Sequence, residues 1–357
     1  MRLLGVWMLA AASALAATEV GELNGAAFRI DVPDDWGGTL LVYCHGYSAQ
    51  PGKYSADKPN PLAMFAAAQK AALIQSGYSA GGWAIAEALH DTEALRRYFV
   101  AKYGAPKETY VLGHSMGGFL TMAIMETKAE VYNGGLALCG PLSAASDFME
   151  RHVFGMRVVF DYYFPGALPS PVQAPADFRN DKELDARIEA LLETKPDAAA
   201  SLRRMFSIRT NKELARTVTF FTYILKDIQQ RGGGNPFDNR DTIYEGSHDD
   251  DALNDGVRRY AADPRAAEYV HRYYTPTGRL TRPLLHIHTT YDPLVPPGTP
   301  NRYAPLAEAA GSGHFFAQTY VKRAGHCAIQ PEEIGLGLQR LRAWAAGGER
   351  PAGGALR

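Results

Sequence analysis

The stretch YVLGHSMGGFLTMAIME, residues 110–126, constrains this chain more than any other. An apolar run ends at Gly113, Ser115 stands between Gly113 and Gly117, and a helical pattern follows at once. A strand that becomes a helix through one sharp turn holds the turn residue in a strained backbone conformation. Side chains two positions before and after it would strike neighbouring elements, so both flanking positions need glycine. Gly-x-Ser-x-Gly between a strand and a helix is the setting in which a serine hydroxyl is presented as a nucleophile. The motif therefore asks for a sheet, for a helix packed on it, and for a base.

A serine hydroxyl is weakly nucleophilic near neutral pH. It needs a general base, and the base needs an acid to orient it. HIHTTYDPLVPP places Asp292 just past an apolar strand, and YVKRAGHC places His326 just past the next. Serine, acid and histidine in that order, each after the carboxyl end of a strand, make Ser115, Asp292 and His326 the expected catalytic set. Asp147, shortly after the run LALCG, is the competing acid. His114, His286 and His288 are expected to serve local packing, and His45 to stiffen its loop.

The rest of the chain alternates. AAFRIDVP and TLLVYC read as strands joined by the turn DDWGG, and LAMFAAAQKAALIQSGYS as a short helix followed by a strand. Trp83 to Tyr103 is helical, stopped by Gly104 and Pro106. TYVLG, GGLALCG, PLLHIHT and HFFAQTYV are apolar runs of the kind buried on both faces, and Pro331 starts a closing helix. The expected class is α/β, a mostly parallel central sheet with helices on both faces. Residues 141–282 show helical periodicity only, as in DKELDARIEALLETK and ELARTVTFFTYILKDIQQ, and are expected to be a helical lid or cap insertion. That leaves a core of 17–140 and 283–345, with 346–357 as a flexible tail. Of the insertion's aromatics, in VVFDYYFPG and TFFTYIL, at least half are expected to hold helices to the core and some to line an apolar acyl pocket.

GHSMGG, YDPLVPP and AGHC resemble the nucleophile, acid and histidine loops of the α/β-hydrolase superfamily, in its esterase, lipase and prolyl-oligopeptidase-like branches, and VYCHGY resembles its oxyanion loop. The resemblance covers residues 27–140 and 283–345. It implies acyl transfer in two steps: Ser115 attacks a carbonyl carbon, His326 relays the proton to the leaving alcohol, and water then hydrolyses the acyl-enzyme. Developing charge on the carbonyl oxygen needs fixed donors, for which the backbone N–H groups of Met116 and Tyr47 are the candidates, the Tyr47 phenol being the substitute for its amide. The expected function is an exported carboxylic-ester hydrolase acting on bulky or aromatic, feruloyl-like esters. A serine peptidase or amidase of the prolyl-oligopeptidase type and a non-catalytic binding protein on the same fold are the alternatives.

MRLLGVWMLAAASALAATEV has Arg2, an apolar run and small residues around Ala14 and Ala16, the parts of a secretory signal over residues 1–16, which predicts export to periplasm or medium. That run is too short to span a bilayer and no later run reaches the roughly 18 apolar residues needed, so no stable membrane insertion is expected. A formal net charge of −1 provides no basic field for nucleic acid. Cys44, Cys139 and Cys327 permit one bridge of open pairing, or serve as small buried hydrophobes. HDDDALNDG fails the calcium-loop spacing and reads instead as a helix start capped at Ser247. No metal or cofactor is expected.

Overall fold

The computed structural model describes residues 15–356. The expected signal segment therefore lies, except for its last two residues, outside the described residues. Nine strands occur among these: β1 (Leu15–Leu23), β2 (Ala26–Pro33), β3 (Thr39–Cys44), β4 (Ala71–Ser76), β5 (Glu108–His114), β6 (Gly134–Leu138), β7 (Leu284–Tyr291), β8 (Phe316–Ala324) and β9 (Gly354–Ala355). They form one sheet in the order β1-β2-β4-β3-β5-β6-β7-β8-β9. β2 pairs antiparallel with β1 and β4, and every pair from β4–β3 to β8–β9 is parallel.

Side chains alternate across a strand, so one strand feeds two cores. Leu40 and Val42 of β3 pack with α2 (Ile85–Tyr103) and α3 (Met116–Thr127), whereas Leu41 joins the face covered by α1 (Pro61–Ala68) and by the closing helix Pro331–Ala345. Covering both faces explains why the central strands read as unbroken apolar runs.

Between β6 and β7 the named elements are helices joined by irregular stretches. They are α4 (Ala145–Asp147), a π-helical stretch Phe148–Phe154, α5 (Gly155–Tyr163), α6 (Lys182–Glu193), α7 (Pro196–Met205), α8 (Asn211–Gly232), α9 (Asp250–Gly256) and α10 (Pro264–Arg272); α11 (Tyr303–Ala309) and α12 (Pro331–Ala345) follow β7 and β8. The 22-residue α8 starts in a capping box, Thr210 with Glu213, and ends on left-handed Gly233. Its Leu214, Val218, Phe221 and Leu225 belong to the same apolar cluster as α2 and α3, so the insertion shares its core with the sheet.

Three details depart from expectation. β1 is an edge strand that the sequence reading left unassigned. Of the expected tail, residues 346–356 are held in place: Pro351 is buried, Arg350 Nε donates to Phe316 O at 2.7 Å, and β9 extends the sheet beside β8. The cap of α9 is Asp249, which accepts from Ala252 N, while the Ser247 hydroxyl donates to Asp250. The cysteine pairing left open by the sequence is Cys139–Cys327; Cys44 is a buried thiol whose pKa burial pushes up to about 12.

Candidate active site

Ser115 sits at the junction of β5 and α3 with φ 57° and ψ −121°, the strained turn that the motif requires. A Cβ on Gly117 would lie 1.9 Å from Cys44 O, and one on Gly113 would lie 2.4 Å from Gly117 O. Nothing larger than hydrogen fits at either position. The Ser115 amide donates to Leu138 O at 2.9 Å, fixing the turn against β6.

The three expected side chains meet. His326 Nε2 lies 2.9 Å from Ser115 Oγ, and His326 Nδ1 lies 2.7 Å from Asp292 Oδ2. The carboxylate can only accept, so Nδ1 carries the proton there and Nε2 is left to accept from the serine hydroxyl. Asp292 is 1 % exposed, and its Oδ1 accepts the amides of Leu294 and Val295, each at 2.9 Å. Burial opposes its charge, but the His326 hydrogen bond, the His326 charge and the Val295 amide outweigh that and hold the carboxyl below its usual range.

The competing residues lie elsewhere or do other work. Asp147 pairs with Arg302 and Arg151. His114 contacts Tyr43 Oη at 3.2 Å, and burial, then the neighbouring His326, bring its pKa down to about 4. His45 stacks on Tyr78 with ring centroids 3.9 Å apart and contacts its own loop at Gly46 O. His286 is fully buried, and His288 Nε2 reaches Val295 O at 2.9 Å, bracing the acid loop from behind.

A cavity of about 250 Å³ opens onto Ser115 and His326. Trp83, Phe148, Met149, Phe220, Phe221, Ile224 and Leu294 make its walls apolar. Tyr47 and Met116 line it too, and among the described residues the amide of neither donates to a protein acceptor. A Cβ on Gly46 would stand 3.3 Å from Ser115 Cβ, so the loop carrying Tyr47 passes directly beside the serine. The Tyr47 hydroxyl is buried without a partner. TFFTYIL thus supplies cavity wall, whereas Val158, Asp161 and Tyr162 of VVFDYYFPG border a separate depression of about 440 Å³. Sequence reasoning missed Trp83, Phe148, Met149 and Cys327 as site residues. Of these only Cys327 carried a signal, its adjacency to His326.

A sheet of this order, with a serine on a glycine-flanked elbow after β5 and acid and histidine after β7 and β8, is the α/β-hydrolase fold. No family model matches the chain, and no curated protein matches its sequence. Among solved structures it is similar to feruloyl esterase B from Aspergillus oryzae, at 13 % identity and TM-score 0.49 over 92 % of this chain and 80 % of that one. It is similar to the Pyrococcus furiosus esterase Pf2001, at 12 % identity and TM-score 0.48 over 95 % and 96 % of the two chains. Against the Pyrococcus horikoshii acylaminoacyl peptidase the values are 11 % and 0.44, and this chain spans only 36 % of that enzyme's length. Likeness at such identities says nothing about substrate.

Proposed function

We propose that the protein is a serine hydrolase that cleaves carboxylic esters through an acyl-enzyme. The observation that carries this reading is the unbroken hydrogen-bonded series Ser115–His326–Asp292 at the mouth of an apolar cavity. His326 takes the Ser115 proton as Oγ attacks the carbonyl carbon, and Asp292 steadies the imidazolium so formed. The unbonded amides of Met116 and Tyr47 receive the oxyanion. His326 then protonates the departing alcohol, and a water activated by the same imidazole releases the acid.

The acyl side is bulky and aromatic in this reading. An apolar cavity of about 150 Å³ is enough for benzene, so one of about 250 Å³ takes a ring with a short linker, and Phe148, Phe220 and Phe221 offer it faces and edges. Among the described residues the cavity wall includes no carboxylate to meet a peptide's terminal amine, which favours the ester reading over the peptidase one. Export is part of the proposal. The Cys139–Cys327 bridge suits an oxidising compartment, and cleavage after Ala16 would spare the β1 pairing from Ala17 to Leu23. Initial rates on p-nitrophenyl esters of aryl acids and on X-Pro-anilides test the assignment. Ester turnover exceeding anilide turnover is expected; the reverse order would make the protein a peptidase.

A further inference from the structure

Beside the catalytic cavity lies a depression of about 360 Å³ with charged walls. The two share their partition. α8 turns Phe220 and Ile224 to the cavity and Tyr223, Lys226, Asp227 and Arg231 to the depression. The loop of Tyr47 continues to Ala49 and Gln50 at the depression, and Trp83 in the cavity wall is two residues from Gly81 in the other. From Phe220 to Lys226 the helix advances about 9 Å, at 1.5 Å per residue.

Arg179, Lys226 and Arg231 face this depression against one carboxylate, Asp227. Asp227 is already used: Oδ1 accepts from Arg231 Nε at 3.2 Å and Oδ2 from Trp83 N at 2.9 Å. Arg231 also donates to Gly81 O and lies 3.8 Å from Glu87. Lys226 and Arg179 have no carboxylate within ion-pair distance among the described residues. Both donate to the same carbonyl, Phe178 O, at 3.1 and 3.0 Å, and the Lys226 ammonium stands 4.0 Å over the Tyr223 ring. Lys226 is only 5 % exposed. Burial, and after it the charge of Arg179, holds its pKa below the ordinary lysine value against the pull of Asp227 and Asp177. Asp227 and Asp177 act on Lys226 only from beyond ion-pair distance, so an anion between the two cations would give both a direct charged partner.

We propose that this depression is a subsite for a carboxylate on the ester substrate, bound by Lys226 and Arg179 while the ester carbonyl lies at Ser115. The proposal rests on the ester-hydrolase reading and narrows its substrates to half-esters of dicarboxylic acids, with the free acid at the far end of the acyl chain.

The test compares p-nitrophenyl half-esters of dicarboxylic acids of graded length with the same compounds capped as terminal amides. Wild-type protein should favour the acid in kcat/KM by roughly tenfold at one chain length, equal to about 1.4 kcal/mol, and added salt should erode that ratio. Arg179→Gln and Lys226→Met should each bring the ratio towards one, and Lys226→Arg should keep it. The ratio is taken within one preparation, so a partly misfolded variant cancels out, and Arg179 is exposed enough to replace safely. Equal turnover of acid and amide by the wild type, or a preference unmoved by both variants, overturns the subsite alone. Absence of turnover for every ester, with no fluorophosphonate label on Ser115, overturns the hydrolase reading and the subsite with it.

Discussion

Cys327, the residue after His326, is disulfide-bonded to Cys139, the first residue after β6. In the sheet β7 lies between β6 and β8, so the bridge passes over the end of the strand that delivers Asp292. Cys327 Sγ also lies 3.5 Å from His326 Nε2. One covalent link therefore ties the histidine loop to the strand whose Leu138 carbonyl fixes Ser115. Displacing a catalytic group by about 1 Å costs on the order of 10²-fold in rate. Reduction by a dithiol, or Cys139→Ala with Cys327→Ala, should lower kcat for an aryl ester by roughly 10–100-fold while KM moves less. Steady-state kinetics after thiol counting decides it, and full activity with both thiols titratable would mean that the loop holds itself.

The elbow glycines have no substitute. Gly117→Ala should give no soluble folded protein, since its Cβ would sit 1.9 Å from a backbone oxygen at the strand–helix junction. Gly298→Ala, where nothing lies within 4 Å, should melt within a few degrees of wild type. Circular dichroism melts of the pair make the comparison.

The cavity predicts a size dependence. Ile224→Trp fills the space beneath Phe220 and should depress turnover of aryl esters by roughly 10–100-fold while acetyl esters lose little, because a pocket discriminates by the volume it offers. Parallel kcat/KM measurements on p-nitrophenyl acetate and an aryl ester expose the split; equal losses would place the acyl group elsewhere.

Acid should unfold the protein in a defined window. His152 is buried among Phe148, Phe206 and Phe221, and burial lowers its pKa to about 4; His114 behaves alike. Between the ordinary histidine value of 6.5 and about 4 the unfolded chain binds protons that the folded one refuses. Stability is therefore complete above that window and falls as pH drops through it, each histidine contributing up to about 1.4 kcal/mol per pH unit. His152→Phe should flatten the decline in denaturant midpoint from pH 7 to pH 4. An unchanged slope would assign the acid sensitivity to other groups.

Much of this was legible because the relevant physics is local. Gly113, Ser115 and Gly117 state their own backbone geometry, and Asp292 and His326 each follow an apolar run that must be a buried strand. What stayed hidden needed convergence in space. Cys139 and Cys327 are 188 residues apart and meet only because β6 and β8 flank β7. TEVGEL carries too few apolar residues to announce an edge strand, and Gly354-Ala355 becomes one only because β8 offers free backbone groups. Phe160 and Phe221 look alike in sequence, yet only Phe221 reaches the cavity, since the choice is set by how α5 and α8 pack.

The central claim is that Ser115 is a nucleophile activated by His326. It is tested most directly by treating the protein with a fluorophosphonate and locating the adduct by peptide mass spectrometry. A single adduct on Ser115, abolished in Ser115→Ala and nearly so in His326→Ala, is the predicted result. No adduct on folded wild-type protein, or an adduct on Ser115 formed equally fast without His326, would contradict it.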